Sequence, residues 1–275
     1  MINRFLRFDT DTKKLYNVNV DFFIWRTVIK MLKVDFHSHI LPGMDDGAKN
    51  TDESVRMLKK LADDGVDTVV LTPHFYRRDE NIKSFLARRE KSYNELCKAV
   101  KSMEKCPELR LGAEVYYYPS LSSDPDFHKL VIEGTDYVLL ELPFERFYHN
   151  FFSGYNKFVS DCEQKIILAH IERYMDFGNT EEEIGTILNF GKAVCQMNCN
   201  PIARAGLFSG NKIMKLIKSG IISVIGTDTH NLDSRPPRFG KAEKKIISKL
   251  GKDEFSRLCH NSRLILENAP INRII

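Results

Sequence analysis

The chain has 275 residues, 43% of them hydrophobic and 28% charged, with a net charge of +4. That length holds one full-size core, and no apolar run approaches the ~18 residues of a membrane span. Six of the 41 basic residues and three of the 37 acidic ones lie in residues 1–30, leaving 35 against 34, a balance that excludes a broad nucleic-acid footprint.

Residues 1–30 read differently from the rest. Phe22-Phe-Ile-Trp-Arg-Thr-Val-Ile holds the only Trp but is broken by Arg26 and followed by Lys30. It lacks the long apolar stretch and small-residue cleavage site of a signal peptide, and the aspartates disfavour a transit peptide. Met31-Leu-Lys-Val-Asp-Phe is a natural start for the first core strand. Three readings of the extension stay open: an accessory helix packed on the main domain, a weak interfacial anchor, or a translated upstream stretch.

From residue 31, strand-like runs alternate with helical stretches. The strand candidates are Lys33–His37, Thr68–Thr72, Arg110–Glu114, Tyr137–Glu141, Lys165–His170, Ala193–Asn198 and Ile221–Thr227. Each is short and continuously apolar, as expected for parallel strands covered on both faces. Between them, Glu53–Ala62 (Val55, Leu58, Leu61, Ala62) after a Thr51 cap, and Asn211–Lys218 before Ser219-Gly220, carry helical spacing. Serial βα units without repeats or linkers give one α/β domain over residues 31–275, a wound sheet or a barrel.

The six cysteines contain no C-x-x-C, and none is followed six residues on by Arg. They read as reduced structural thiols, with Cys195 and Cys199 in a buried strand and its exit. Cysteine-nucleophile phosphatase chemistry is excluded.

Six of the seven strand candidates end in His, Asp or Glu: His37 and His39, His74, Glu114, Glu141, His170, and Asp228 with His230. In parallel α/β barrels this C-terminal face carries the active site. Residues i and i+2 of extended backbone project to one side, so His37/His39 and Asp228/His230 each form a two-pronged grip. The turn Gly43-Met-Asp-Asp46-Gly adds carboxylates that can curl over the mouth. Imidazoles and carboxylates without thiolate suit catalytic Mn²⁺, Fe²⁺ or Zn²⁺ better than a structural zinc.

Nine ligands are too many for one ion with an open position and suit three. Four carboxylates only partly neutralise three divalent ions, so the pocket, with Arg173 and Arg235 beside it, favours a phosphomonoester dianion. Such a centre lowers the pKa of bound water enough to make a nucleophile at neutral pH. A lone H-x-H or D-x-H has bland explanations, as core histidines or an Asx turn. Convergence of five of the eight histidines on strand ends does not. His128, His149 and His260 default to structural or surface roles. Arg77, Arg78, Arg88, Arg89 and Lys91 read as a solvated helix face, or else as a rim attracting an acidic substrate.

His37-Ser-His-Ile-Leu-Pro-Gly-Met-Asp-Asp-Gly-Ala48, Thr72-Pro-His74, Gly112-Ala-Glu114, Ala169-His-Ile-Glu-Arg173 and Asp228-Thr-His-Asn-Leu-Asp-Ser-Arg-Pro-Pro237 resemble the polymerase-and-histidinol-phosphatase superfamily of metal-dependent hydrolases. Within it they are most similar to the bacterial protein-tyrosine phosphatases of capsule and exopolysaccharide loci. The resemblance runs through nearly all of residues 33–270, and its first and last motifs are specific to that subgroup. It implies a distorted (β/α)7 barrel and a centre of three metal ions, usually manganese. The first ion would be held by His37, His39, Glu114 and Asp228, and the second by Glu114, Glu141 and His170. The third would take Asp46, His74 and His230, Asp46 being preferred to Asp45 by motif position alone.

By the same resemblance, Arg173 and Arg235 would bind the substrate phosphate. The implied substrate is phosphotyrosine on an autophosphorylating bacterial tyrosine kinase that controls polysaccharide synthesis, met in the cytoplasm by a monomer or a homo-oligomer. A histidinol-phosphate hydrolase would keep the metals but lack the Leu41-Pro-Gly-Met-Asp-Asp and Arg-Pro-Pro stretches. A nuclease of the superfamily would accompany a polymerase domain, and a metal-binding scaffold would need no paired arginines.

Overall fold

The computed structural model describes residues 5–9, 14–18, 31–191, 193–206, 209–269 and 271. They fall into two compact units, Met1–Met31 and Leu32–Ile275. In the first, β1 (Phe5–Asp9) pairs antiparallel with β2 (Lys14–Val18), Phe5 opposite Val18 and Asp9 opposite Lys14. These two five-residue segments of the extension are strands. The Trp-containing segment 22–29 lies outside the described residues.

The second unit is a succession of βα steps. Its strands are β3 (Val34–Asp35), β4 (Thr68–Leu71), β5 (His74–Phe75), β6 (Glu108–Leu111), β7 (Glu114–Tyr116), β8 (Tyr137–Glu141), β9 (Lys165–Leu168), β10 (Ala193–Asn198) and β11 (Ile222–Gly226). The intervening helices are α1 (Thr51–Asp63), α2 (Ile82–Val100), α3 (His149–Asp161), α4 (Ile171–Asp176), α5 (Glu181–Asn189), α6 (Cys199–Arg204) and α7 (Ser209–Lys218). Two more, α8 (Phe239–Leu250) and α9 (Lys252–Leu266), follow the last strand. All strand pairs in this unit are parallel, in the orders β11-β10-β9-β8-β7-β5 and β3-β4-β6. The first run meets the last through a parallel Ser38–Thr229 bridge and an Asp228 N–H donated to His37 O at 2.7 Å. This is a distorted (β/α)7 barrel.

One sequence run divides where one strand was expected, and another is followed by a short additional strand. The second stops at Thr72-Pro73, because proline brings no N–H to the ladder, and resumes as β5. Its neighbour, expected as one strand over Arg110–Glu114, breaks in register with it at Gly112-Ala113. Arg89 explains part of that break. Far from lying on a solvated face, it is buried and donates to Gly112 O at 2.6 Å. Of the other basic residues, Arg88 and Lys91 are exposed on α2, whereas Arg77 and Arg78 occupy the preceding turn.

Helix α1 is capped by Asn50, not Thr51. The Asn50 side chain accepts the Glu53 N–H at 3.0 Å, worth about 1 kcal/mol. The buried face of α1 is Ser54, Met57, Leu58 and Leu61, so Val55 and Ala62 are only its margin.

Strand residues Val34, Val70, Leu139, Ile167 and Val224 share a core with Ile265 and Leu266 of α9. The chain after α9 crosses the strand starts, where Arg110 donates to Leu266 O (3.4 Å) and Lys165 to Asn268 O (3.1 Å). One barrel end is thereby covered, and the strand C-termini face the other. Gly226 lets the wall close there: a Cβ on it would sit 2.6 Å from His37 Cβ.

Candidate metal centre and family

All nine candidate ligands meet at the strand C-termini. Four sets of donor atoms lie within 4.8 Å of one another: His39/Asp46/His74/His230, His37/His39/Asp228, His37/Glu114/His170 and His74/Glu114/Glu141. His39 and Glu114 each belong to more than one set, so the cluster is continuous. Compared with the implied assignment, His39 also reaches the Asp46 group, and Glu114 lies centrally between His37/His170 and His74/Glu141.

The backbone turns sharply to present two of these groups. β9 stops at Leu168 instead of running on to His170, whose φ is +30°; Asp228 has φ +51°. Non-glycine residues in this region carry strain that surrounding bonds must hold. The His170 N–H is held by Gln196 Oε1 at 2.8 Å and that of Asp228 by His37 O.

Hydrogen bonds on the outer sides of the imidazoles settle which nitrogen faces inward. His37 Nδ1 donates to Gln196 Oε1 (3.2 Å), His39 Nδ1 to Asp45 Oδ2 (2.8 Å) and His230 Nδ1 to Asp228 O (3.0 Å). Each leaves Nε2 facing the cluster, the arrangement that orients metal-bound histidines once that nitrogen has given up any proton. His37 Nε2 and His39 Nε2 stand 3.1 Å apart, and buried His230 Nε2 has no hydrogen-bond partner. Glu114 Oε2 lies 2.9–3.3 Å from three imidazole nitrogens yet accepts no well-formed hydrogen bond. Buried lone pairs converging in this way leave a polar cost that cations would relieve. The donor set fits divalent ions.

Charge agrees. Burial alone would raise the Glu114 and Asp228 carboxyls, but neighbouring histidines hold both well below the usual range, ionised as ligands must be. Burial and the positive His39 side chain push His230 down to about 3. His170 is opposite: burial would lower it, yet Glu114 and Glu141 push it up to about 10. Protons on such histidines stand in for cations, so ion uptake must displace them.

Arg173 and Arg235 straddle Asp228, reaching its two oxygens at 2.8 and 2.6 Å. Each keeps about a third of its side chain exposed (35% and 32%), so both also face the mouth. Asn231 Oδ1 accepts the Asp233, Ser234 and Arg235 N–H groups, folding the loop that returns Arg235 to the site.

Several contributors escaped the sequence reading. Asp45 and Asp46 divide the labour: Asp45 is 7% exposed and binds His39, the His74 N–H and the Gly47 N–H, whereas Asp46, 66% exposed, approaches His74 and His230. The Ala193–Asn198 run, which ends in no ligand, supplies Gln196 and Asn198; the latter donates to Asp228 Oδ2 at 2.8 Å. Two amides at i and i+2 in an apolar strand were the available signal. Tyr76, whose hydroxyl donates to Glu141 Oε2 at 3.3 Å, carried none.

Asp45→Asn gives one expected result. Losing the charge behind His39 should weaken metal binding about 10–100-fold with the fold intact, as checked by metal titration and circular dichroism. Unchanged affinity would remove Asp45 from this role.

Among the described residues, no helix is long and apolar enough to cross a membrane. The chain is 26% identical over 249 residues to tyrosine-protein phosphatase CpsB of Streptococcus agalactiae serotype III, covering 86% of this chain and 98% of that one. It is 25% identical over 253 residues to tyrosine-protein phosphatase YwqE of Bacillus subtilis, covering 87% and 94%. In fold it resembles a crystal structure from work on YwqE of B. subtilis and CpsB of Streptococcus pneumoniae, described as unique metal-dependent tyrosine phosphatases. The TM-score is 0.74 at 22% identity, covering 87% of this chain and 96% of the other. A family model described as capsular polysaccharide synthesis, CpsB/CapC, matches residues 33–267. The chain therefore belongs to the CpsB/CapC family.

Proposed function

We propose that this chain is a metal-dependent protein-tyrosine phosphatase, acting in the cytoplasm on a phosphorylated bacterial tyrosine kinase that regulates capsular or exopolysaccharide synthesis. The observation that carries the reading is the convergence of nine His, Asp and Glu donors beside two half-open arginines, in a chain whose relatives are named tyrosine-protein phosphatases.

The ligands would be His37, His39, Asp46, His74, Glu114, Glu141, His170, Asp228 and His230, holding three divalent ions, Mn²⁺ before Fe²⁺ or Zn²⁺. When bound, the ions supply Lewis-acid charge and an activated water. Arg173 and Arg235 bind the phosphate and stabilise charge on the transferring phosphoryl group. Gln196 and Asp45 fix the imidazole tautomers. Residues 31–275 carry the activity, and residues 1–30 are an extension outside it. The cysteines, mostly buried, suit a reducing compartment.

The leaving group decides between substrates. A phenol with pKa near 10 departs readily, whereas an aliphatic alkoxide needs a proton donor, and all five cluster histidines are spent on ions. We expect kcat/KM for phosphotyrosine peptides to exceed that for phosphoserine peptides and histidinol phosphate by at least about tenfold (~1.4 kcal/mol). Equal or faster turnover of histidinol phosphate would replace the reading with a small-molecule phosphatase.

A further inference from the structure

Phe177 is 51% exposed, and the only other strongly exposed large hydrophobic among the described residues is Tyr148. Its ring stacks on Phe144, with centroids 5.8 Å apart and planes at 20°. Phe144 in turn carries the Arg173 guanidinium 5.6 Å from its centroid and touches the His170 ring at 5.4 Å. One aromatic surface therefore runs from the metal cluster, past the anion-binding arginine, to solvent.

That surface is held in place from behind. Phe144 sits on the loop after β8 and Phe177 caps α4. Between the two segments, buried Asn179 accepts the Phe147 N–H at 2.7 Å and donates to Glu145 O and Tyr174 O, both at 2.9 Å. Arg146 adds a bond to Gly178 O at 3.1 Å. A pre-set wall spends little entropy on ordering when a ligand ring arrives. Half of the Phe177 side chain stays open to solvent while the rest stacks on Phe144, so one edge of the ring is free to meet a ligand.

We infer that Phe144 and Phe177 form the binding wall for the substrate's aromatic ring, selecting aryl over aliphatic phosphate esters. This rests on the phosphotyrosine reading and adds a second source of selectivity to it. A phosphate held by Arg173 projects its ester group outward, and a phenyl ring there meets Phe144 and then Phe177 in offset or edge contact. A serine side chain is too short and too polar to use them.

The test uses the full-length manganese-loaded protein with two non-hydrolysable probes, phenylphosphonate and methylphosphonate, followed by calorimetry. Phe177→Ala should lower phenylphosphonate affinity about three- to tenfold, the range of a lost aromatic pair, and methylphosphonate affinity by less than about twofold. Phe177→Trp should restore the difference. The KM for a phosphotyrosine peptide should rise in parallel, and the phosphotyrosine-to-phosphoserine ratio should fall. Equal losses for both phosphonates, or none, would overturn the wall. If the unaltered protein prefers phosphotyrosine and Phe177→Ala keeps the full preference, the wall fails and the phosphatase reading stands. Absence of that preference in the unaltered protein would remove both.

Discussion

Glu114→Gln should lower both metal content and turnover by at least about 10²-fold, more than the loss of an outer-sphere partner usually costs. Glu114 is 1% exposed, its Oε1 lies 2.8 Å from His170, and its Oε2 lies within 3.3 Å of His37, His39 and His74. Glutamine keeps the volume, so the barrel should stay folded. It loses the charge, and its NH₂ presents hydrogens where a ligand must present lone pairs. In the ion-free protein the same change removes a main support of the raised His170 pKa, which should move down. Metal analysis and phosphate release on one preparation check both effects. A variant with normal metal content and rate would place the centre elsewhere.

The second large effect separates binding of ions from binding of phosphate. Arg173→Ala and Arg235→Ala should each keep the metals and lose roughly 10²–10³ in kcat/KM, as when an oxyanion donor is removed. Both side chains contact Asp228, but Asp228 also accepts from Asn198 and has His37 and His39 within 3.5 Å, so it stays in place without either one. Lysine should rescue poorly, because a point charge does not reproduce the guanidinium fork. The double variant should fall short of the product of the single losses, since both arginines act on one phosphate beside one carboxylate. Near-normal kinetics in either single variant would withdraw that residue's role.

The gathering of eight of the nine residues was legible because strand ends and side-chain type are local properties; Asp46, in a turn, rested on motif position. Tyr137–Glu141 and Ala193–Asn198 were bounded correctly, as apolar runs between polar breaks. What stayed hidden depends on contacts distant in sequence. Asp45 and Asp46 are adjacent and chemically alike, and only the His39 ring and the His74 N–H, supplied by other segments, distinguish them. Arg89 looked solvated because its charge was visible and its partner, Gly112 O, was not. The division of the third run is a joint event, in which Pro73 ends one strand and its neighbour breaks alongside. Gln196 and Asn198 look like ordinary strand residues in sequence, because the imidazole and carboxylate that they support belong to other segments.

The most direct test of the account is phosphate release from a phosphotyrosine peptide by protein stripped with a chelator and titrated with Mn²⁺. The account predicts no turnover at the start, then recovery as the chain takes up about three ions, the number nine donors serve at about three protein ligands each, with protons released as each ion binds. Full turnover by the stripped protein would contradict it.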